Sequence, residues 1–317
     1  MVSGTGEMAV AILRRCTMAA KTTHLQNSEH TIACRGIVGF CFSHHPNDPA
    51  VQRTTAVSSY WLTARQWPRS YTVITGVQGG DIVKEFWTGQ RLLVVAPHAD
   101  DEAYGCAGTI AKAKAMGGDV FVIVGSVGNL QHYNQGQPTV TGETRTEEVR
   151  ASMELLGVDG YEILYTETDR HLRLDAVPQR DLIRLLERDA AYAIDKVRPT
   201  VILLPAPSFN QDHRALFQAG FAACRPHARR QKPFVNHVLS CDAVQLGWRE
   251  MPFRPDVYVD ISEYLDVKLQ ALSCHRSQLR PDPDLGSLEN VERLARLRGA
   301  EIGVSAAEAF ECHRVVL

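Results

Sequence analysis

The sequence predicts an α/β protein built on a parallel sheet with helices on both faces. Four short runs of β-forming residues alternate with helical patterns between residues 91 and 224. Such alternation is typical of parallel sheets with crossover helices. Several of the runs are apolar throughout, as expected for strands buried on both faces. Hydrophobic residues make up 44% of the 317 residues and charged residues 22%, which is the composition of a globular protein. We therefore expect a Rossmann-like architecture.

Residues 1 to about 80 differ in composition from the rest of the chain. They carry few acidic residues, many Thr, Ser and His, and no clear helix or strand period. This composition predicts a poorly ordered N-terminal extension, with a strand at 71–77 as its only candidate element. The compact domain is expected to span residues 81–317 and to begin with a short helix at 81–87.

The spacing of apolar residues and the residues that end helices distinguish the predicted strands of this domain from its helices. The longest predicted helix repeats apolar residues at Leu182, Leu185 and Leu186. Gly157 ends an earlier helix, and Ser262 is a candidate N-cap for a later one. The predicted elements are a strand at 92–96, a helix at 103–116, a strand at 119–125, a helix at 143–156, a strand at 161–165, a helix at 177–197, a strand at 200–204, a helix at 214–224, strands at 235–240 and 257–261, and helices at 262–274 and 288–299.

Groups with metal-binding and acid/base chemistry follow the first strand. Residues 97–102 read Pro-His-Ala-Asp-Asp-Glu and form the turn into the next helix. Ligands bind at such strand ends in open α/β sheets. Two adjacent Asp residues there repel each other unless a cation or a proton intervenes. His98 and Asp101 are spaced to converge on one cation, which leaves Asp100 free to act as a base.

A second cluster follows the fourth strand. A divalent ion held by a His and a carboxylate needs a third protein ligand, and His213 can supply it. Two histidines and one carboxylate are typical of catalytic zinc, but also of non-haem iron, so Zn²⁺, Fe²⁺ and other divalent ions stay open. Asp212 can hold His213 through its other ring nitrogen, orient a neighbour or cap the following helix. Asn210 can donate to an oxyanion or cap the same helix.

The polar loop at 128–142 leaves the same edge of the predicted sheet as His98. It is either a lid over the site or an ordinary surface loop.

These motifs resemble those of the PIG-L/LmbE-like deacetylases. Residues 97–102 are similar to the family signature Pro-His-Pro-Asp-Asp-Glu, and the resemblance extends over 81–317. It includes Arg145-x-x-Glu148 followed by Leu-Leu-Gly at 155–157, the pair Asp212-His213, and the segment Ala-Leu-Ser-Cys-His-Arg-Ser-Gln at 271–278.

The resemblance implies a zinc-dependent enzyme that removes the acetyl group from N-acetylglucosamine-type sugars and releases acetate. It implies His98, Asp101 and His213 as metal ligands and Asp100 as general base. Arg145 and Asp175 are the positions that match the residues fixing the sugar, although Arg145 can also be a surface residue paired with Glu147 or Glu148.

Two residues depart from the family pattern. Ala99 replaces the proline between His and Asp, which should relax the turn without removing a ligand. Asn210 stands where many members have a histidine that helps to stabilise the oxyanion. Asn210 can donate a hydrogen bond but cannot carry a proton, so this electrophilic role should be weaker or filled by another group.

Two other functions use similar residues. Receiver domains bind magnesium through Asp-Asp at a strand end and need a phospho-accepting Asp at the carboxyl end of another strand. Asp119 and Asp159 stand at or before the start of their strands, so this acceptor is missing. Iron oxygenases with the same triad mostly use double-stranded β-helix folds, which conflict with the βα alternation.

Composition restricts partners and compartment. The net charge of −2 argues against nucleic-acid binding, and no apolar run reaches the roughly 18 residues of a membrane span. The eight cysteines are scattered and form no Cys-x-x-Cys pair, which favours reduced thiols in the cytoplasm. The expected partner is a small N-acetylated sugar conjugate, a glycoside, pseudo-oligosaccharide or secondary-metabolite intermediate.

Overall fold

The computed structural model describes residues 86–131, 138–244 and 252–317. The predicted N-terminal extension at 1–80 and its candidate strand at 71–77 lie outside these residues. So does the predicted helix at 81–87, apart from its last two residues, and the central part of the 128–142 loop.

The described residues form a seven-stranded mixed sheet in the order β3-β2-β1-β4-β5-β7-β6. The first five strands are parallel, as the sequence predicts, whereas β7 runs antiparallel to both β5 and β6. The strands are β1 (Arg91–His98), β2 (Asp119–Ser126), β3 (Gly160–Tyr165), β4 (Val201–Pro205), β5 (His237–Cys241), β6 (Val257–Asp260) and β7 (Ala307–Arg314).

Helices cover both faces of this sheet. Leu92 and Val94 of β1 belong to one apolar cluster, packed against α1, α2, α6 and α7, whereas Leu93 and Val95 belong to another, packed against α3, α4 and α5. Because successive side chains of a strand point to opposite faces of the sheet, β1 is buried on both faces. The helices are α1 (Asp101–Ala115), α2 (Gly142–Leu156), α3 (Gln179–Arg184), α4 (Ile194–Val197), α5 (Gln211–Ala223), α6 (Leu265–Cys274) and α7 (Leu288–Ile302).

The strand order places a crevice between β1 and β4. From β1 the chain continues to β2 and β3 on one side, and it returns to β4 and β5 on the other. The helices that follow β1 and β4 pack on opposite faces of the sheet. The carboxyl ends of these two strands therefore diverge at a topological switch point, where open α/β sheets bind ligands.

The predicted continuous helix at 177–197 is wrong. The segment contains α3, a π-helical turn at Leu185–Asp189, an extended residue at Ala190 and the single turn α4. Tertiary contacts satisfy the backbone where a helix would otherwise continue. The Glu162 carboxylate accepts the N–H groups of Ala191 and Tyr192, at 2.9 and 2.8 Å. Apolar spacing alone does not report such a competing acceptor.

Two further differences lie in the C-terminal third. Ser262 is not the N-cap of α6, which begins at Leu265; the Ser262 backbone and hydroxyl donate instead to Asp260 Oδ1. Strand β7 is absent from the predictions because it carries Glu308, whose charge breaks the apolar alternation although the side chain is buried.

No helix among the described residues is long and apolar enough to cross a membrane.

Candidate metal centre and catalytic site

Three potential metal ligands meet at the crevice between β1 and β4. His98 ends β1, Asp101 begins α1, and His213 lies in the first turn of α5. Their ligand atoms all lie within 4.8 Å of one another. The fold thus brings together residues more than 110 positions apart, as the sequence predicts.

The spacing of the ligand atoms fits a tetrahedral metal. Asp101 Oδ2 lies 3.3 Å from His98 Nδ1 and 3.3 Å from His213 Nε2. Donor atoms held about 2.0–2.1 Å from a tetrahedral zinc ion lie roughly 3.3 Å apart. The donor set and its spacing therefore fit a zinc-type ion.

Asp212 fixes the tautomer of His98, and so orients this histidine instead of His213. The buried Asp212 accepts a hydrogen bond from His98 Nε2 at 2.9 Å, and its other oxygen accepts the Leu174 N–H. With the proton on Nε2, the Nδ1 lone pair faces the Asp101 carboxylate. Two acceptors at 3.3 Å repel unless a cation lies between them.

The local electrostatics favour a positive charge at the same place. Burial lowers the pKa of His98, but hydrogen bonds and charges from Asp101 and Asp212 outweigh it and raise the pKa to about 9. Burial likewise raises the pKa of Asp101, but the two histidines pull it well below its usual range. Asp101 is therefore anionic, and its charge would stabilise a cation bound between it and the two histidines.

Asp100 has an unusual backbone conformation. Its φ of 110° lies in the left-handed region, which is costly for a non-glycine residue and concentrates at functional sites. Its N–H donates to Glu102 Oε2 at 3.3 Å, and its side chain lines the site cavity. Burial and the neighbouring Asp101 charge raise the pKa of Asp100 to about 8. A bound divalent cation would lower this value, because it stabilises the carboxylate.

Arg145 reaches the same cavity from α2 and is almost fully buried. Its Nη1 donates to Gly128 O at 3.1 Å and to His171 Nε2 at 2.6 Å. Burial, with the positive charge of Arg145, lowers the pKa of His171 to about 3, so this imidazole is neutral and can accept. The surface pairing with Glu147 or Glu148 is not formed; Glu148 accepts from Ser277 instead.

Asn210 and Asp175 occupy different environments. Asn210 lines the cavity and is the N-cap of α5, where its Oδ1 accepts the Asp212 N–H at 2.9 Å. Capping uses only the amide oxygen, so the nitrogen remains a possible donor. Asp175 is exposed in a single 3₁₀ turn at Leu174–Ala176 and is not among the residues that line the cavity.

The cavity beside the ligands has a volume of about 180 Å³ and is open to solvent. The sequence assigns no individual role to half of the residues that line this cavity. His171 had no motif around it, whereas Gln278 falls in the 271–278 segment that resembles the family. The missed lining residues are Leu130, His171, Leu172, Ser208, Phe209 and Gln278.

Comparisons with known proteins agree with this geometry. Residues 93–224 match the PIG-L family, described as GlcNAc-PI de-N-acetylase. The chain is 29% identical to a diacetylchitobiose deacetylase of Thermococcus kodakarensis over 61% of this chain and 72% of that one. It is 30% identical to a probable N-acetyl-alpha-D-glucosaminyl L-malate deacetylase 2 of Bacillus cereus, over 60% and 84% of the two chains. The crystal structure of the conserved protein TT1542 from Thermus thermophilus superposes with a TM-score of 0.55 at 28% identity, covering 72% of this chain and 96% of that one.

Proposed function

Because this chain belongs to the PIG-L family of GlcNAc-PI de-N-acetylases, we propose that it removes the N-acetyl group from an N-acetylglucosamine-type sugar conjugate. The observation that carries the proposal is the convergence of His98, Asp101 and His213 beside Asp100 in one open cavity. The relatives named above are a diacetylchitobiose deacetylase and a probable N-acetyl-alpha-D-glucosaminyl L-malate deacetylase, which supports an amino-sugar amide as substrate.

His98, Asp101 and His213 would hold the metal, with zinc as the first candidate. A bound divalent ion of this type lowers the pKa of water and polarises a carbonyl. Asp212 keeps His98 in the tautomer that presents Nδ1, so it supports the ligand without contacting the ion.

The remaining groups suit amide hydrolysis. Asp100 takes the proton of the attacking water and later delivers it to the leaving nitrogen. Asn210 donates its amide to the carbonyl oxygen as negative charge develops there. Arg145, fixed by Gly128 and His171, binds the sugar. The water oxygen forms a C–O bond to the carbonyl carbon, and the amide C–N bond breaks afterwards, when the nitrogen receives the proton from Asp100. The products are acetate and the free amino sugar.

The same ligands also suit Fe²⁺, but nothing in the described residues favours an oxygenase. The mixed α/β sheet is not a double-stranded β-helix, and Asp100 beside the centre supplies a base that hydrolysis uses.

The test is acetate release by the metal-defined protein. The purified chain is stripped with a chelator, reloaded separately with zinc, iron or cobalt, and assayed against a panel of N-acetylated sugars. We expect acetate to appear only with metal. Full metal occupancy without acetate from any N-acetylated sugar would contradict the proposal.

A further inference from the structure

Two large apolar side chains stand exposed in the wall of the catalytic cavity. Leu172 is 37% exposed and Phe209 is 56% exposed. Half-buried Leu130 lines the same cavity. We name these three residues the apolar collar. Exposed apolar side chains grouped around a binding cavity mark a contact surface for a ligand.

The backbone holds Leu172 in a conformation that leucine rarely adopts. Its φ is 59°, in the left-handed region, where a Cβ-bearing residue is strained. Neighbouring bonds fix this turn: the Leu172 carbonyl accepts from Gln211 Nε2 at 2.7 Å, and the Leu174 N–H donates to Asp212 at 2.9 Å. The same carboxylate orients the metal ligand His98. The strained turn is therefore built into the site, as expected where a side chain has a binding role.

Phe209 is tied to the catalytic groups through its neighbours. It directly precedes Asn210, the N-cap of α5, and the Ser208 hydroxyl accepts the Asn210 N–H at 3.1 Å. Its ring is thus one residue from the amide that is proposed to meet the substrate carbonyl. Because Phe209 also lines the cavity, a group attached to a sugar bound there can contact this ring.

The charges around the cavity disfavour an anionic attachment. Arg145 is the only Lys or Arg that lines the cavity among the described residues, and the proposed function assigns its remaining donors to the sugar itself. A carboxylate next to the sugar would lose hydration against the apolar collar without gaining a further cation from the described residues that line the cavity.

Resting on the proposed deacetylase function, we infer that the group linked to the N-acetylated sugar presents a flat apolar face to Leu172 and Phe209. An aryl ring or the C–H face of a second pyranose has this property, and a malate-type acid does not. Burial against Phe209 and Leu172 removes apolar area from water, and the aromatic ring favours a flat partner.

The test compares conjugates of one sugar. Acetate release is measured with phenyl N-acetylglucosaminides, N,N′-diacetylchitobiose, the N-acetylglucosaminyl malate conjugate and free N-acetylglucosamine. We expect kcat/KM to be on the order of tenfold higher for the phenyl and disaccharide compounds than for the free sugar, and no such gain for the malate conjugate. Phe209→Ala and Leu172→Asn should each reduce the ratio of phenyl glycoside to free sugar by on the order of tenfold. Asparagine tolerates the left-handed turn, so Leu172→Asn removes the apolar surface without strain.

Matched variants show whether position matters. Leu155→Ala and Phe221→Ala remove exposed side chains of the same types outside the cavity, and both should leave the ratio unchanged. Unchanged ratios in both collar variants, or a preference for the malate conjugate, would overturn the inference.

A binding measurement separates this inference from the proposed function. Calorimetric titration of Asp100→Asn with a phenyl N-acetylglucosaminide needs no turnover. A further loss of affinity of on the order of tenfold in Asp100→Asn/Phe209→Ala supports the collar even if no acetate is released. Equal affinity in the two proteins counts against the collar even if the enzyme is active.

Discussion

Lys268 Nζ and Glu308 Oε1 lie 2.6 Å apart in the interior, where they bridge a break in helix α1. The break is at Cys106, whose φ of −154° is not helical. The first turn of α1, which carries Asp101, therefore depends on α6 and β7 for its position. The break leaves backbone groups without their partners within the helix, and the pair forms hydrogen bonds with them. Lys268 donates to the carbonyls of Ala103 and Tyr104. Glu308 accepts the N–H groups of Gly108 and Thr109.

Lys268→Met should destabilise the protein strongly, because it leaves a buried Glu308 carboxylate without its cation and two carbonyls without donors. We expect a loss of about 3–5 kcal/mol in the free energy of unfolding. Urea denaturation measures this loss. The double variant Lys268→Met/Glu308→Gln should lose less free energy of unfolding than the sum of the losses in the two single variants, because the two side chains interact. A loss below about 1 kcal/mol for Lys268→Met would show that the pair is not structural.

Asp212→Asn should weaken metal binding, since the carboxylate that holds the His98 proton is lost. Outer carboxylates of this kind are worth about 10- to 100-fold in metal affinity. Competition with a chromogenic chelator gives the zinc dissociation constant. Asp175→Asn is a suitable control, because this carboxylate is exposed and outside the cavity wall. Equal affinities in the two variants would mean that Asp212 does not orient the ligand.

Asp100→Asn should retain the metal and lose turnover by about 10²- to 10⁴-fold, the usual contribution of a general base. Asparagine also tolerates the left-handed backbone at this position, so the fold should be kept. Metal content by elemental analysis and acetate release are measured on the same preparation. A variant with normal metal content and wild-type turnover would exclude Asp100 as the base.

The three candidate metal ligands can be predicted from the sequence because they follow the carboxyl ends of two predicted strands. His98, Asp101 and His213 are predictable because parallel strands deliver their carboxyl ends to one edge, so two local motifs meet without any knowledge of long-range packing. Local sequence cannot show which histidine Asp212 contacts. That choice depends on how far α5 extends, and it begins at Gln211, three residues earlier than predicted.

The unpredicted half depends on tertiary contacts. His171 lies in an irregular segment after β3, and only the fold brings its ring 5.5 Å from that of His98. The broken helix at 177–197 and the charged strand β7 fail for a related reason. Half-buried Glu162 accepts backbone N–H groups at the break in the helix, and buried Glu308 in β7 is paired with Lys268. Neither contact can be read from the helical or apolar pattern on which sequence reasoning relies.

Stability should depend on pH through Glu187. Burial raises the pKa of this carboxyl, but Lys232 at 2.5 Å and Arg225 at 3.0 Å outweigh it and lower the pKa below 4.5. Because the pKa of this carboxyl is lower in the folded than in the unfolded protein, its ionisation stabilises the fold at every pH above the unfolded-state pKa. This stabilisation is lost as the pH falls through the folded-state pKa. Glu187→Gln should therefore cost about 1.5–3 kcal/mol at pH 7 and progressively less below about pH 4.5. Urea denaturation of both proteins across this range measures the difference, and a constant difference would contradict the assignment.

Arg145→Lys tests whether the buried guanidinium binds the sugar. Arg145 Nε is buried without a hydrogen-bond partner among the described residues, and Nη1 is held by Gly128 and His171. The guanidinium is thus oriented with donor capacity left for a ligand. Lysine keeps the charge but loses this planar arrangement, so KM for the N-acetylated sugar should rise on the order of tenfold, with a smaller change in kcat. Steady-state kinetics separate the two constants. Because Arg150 is exposed on the same helix, Arg150→Lys serves as the control and should change neither. A fall in kcat at constant KM for Arg145→Lys would place the guanidinium in the chemical step and not in sugar binding.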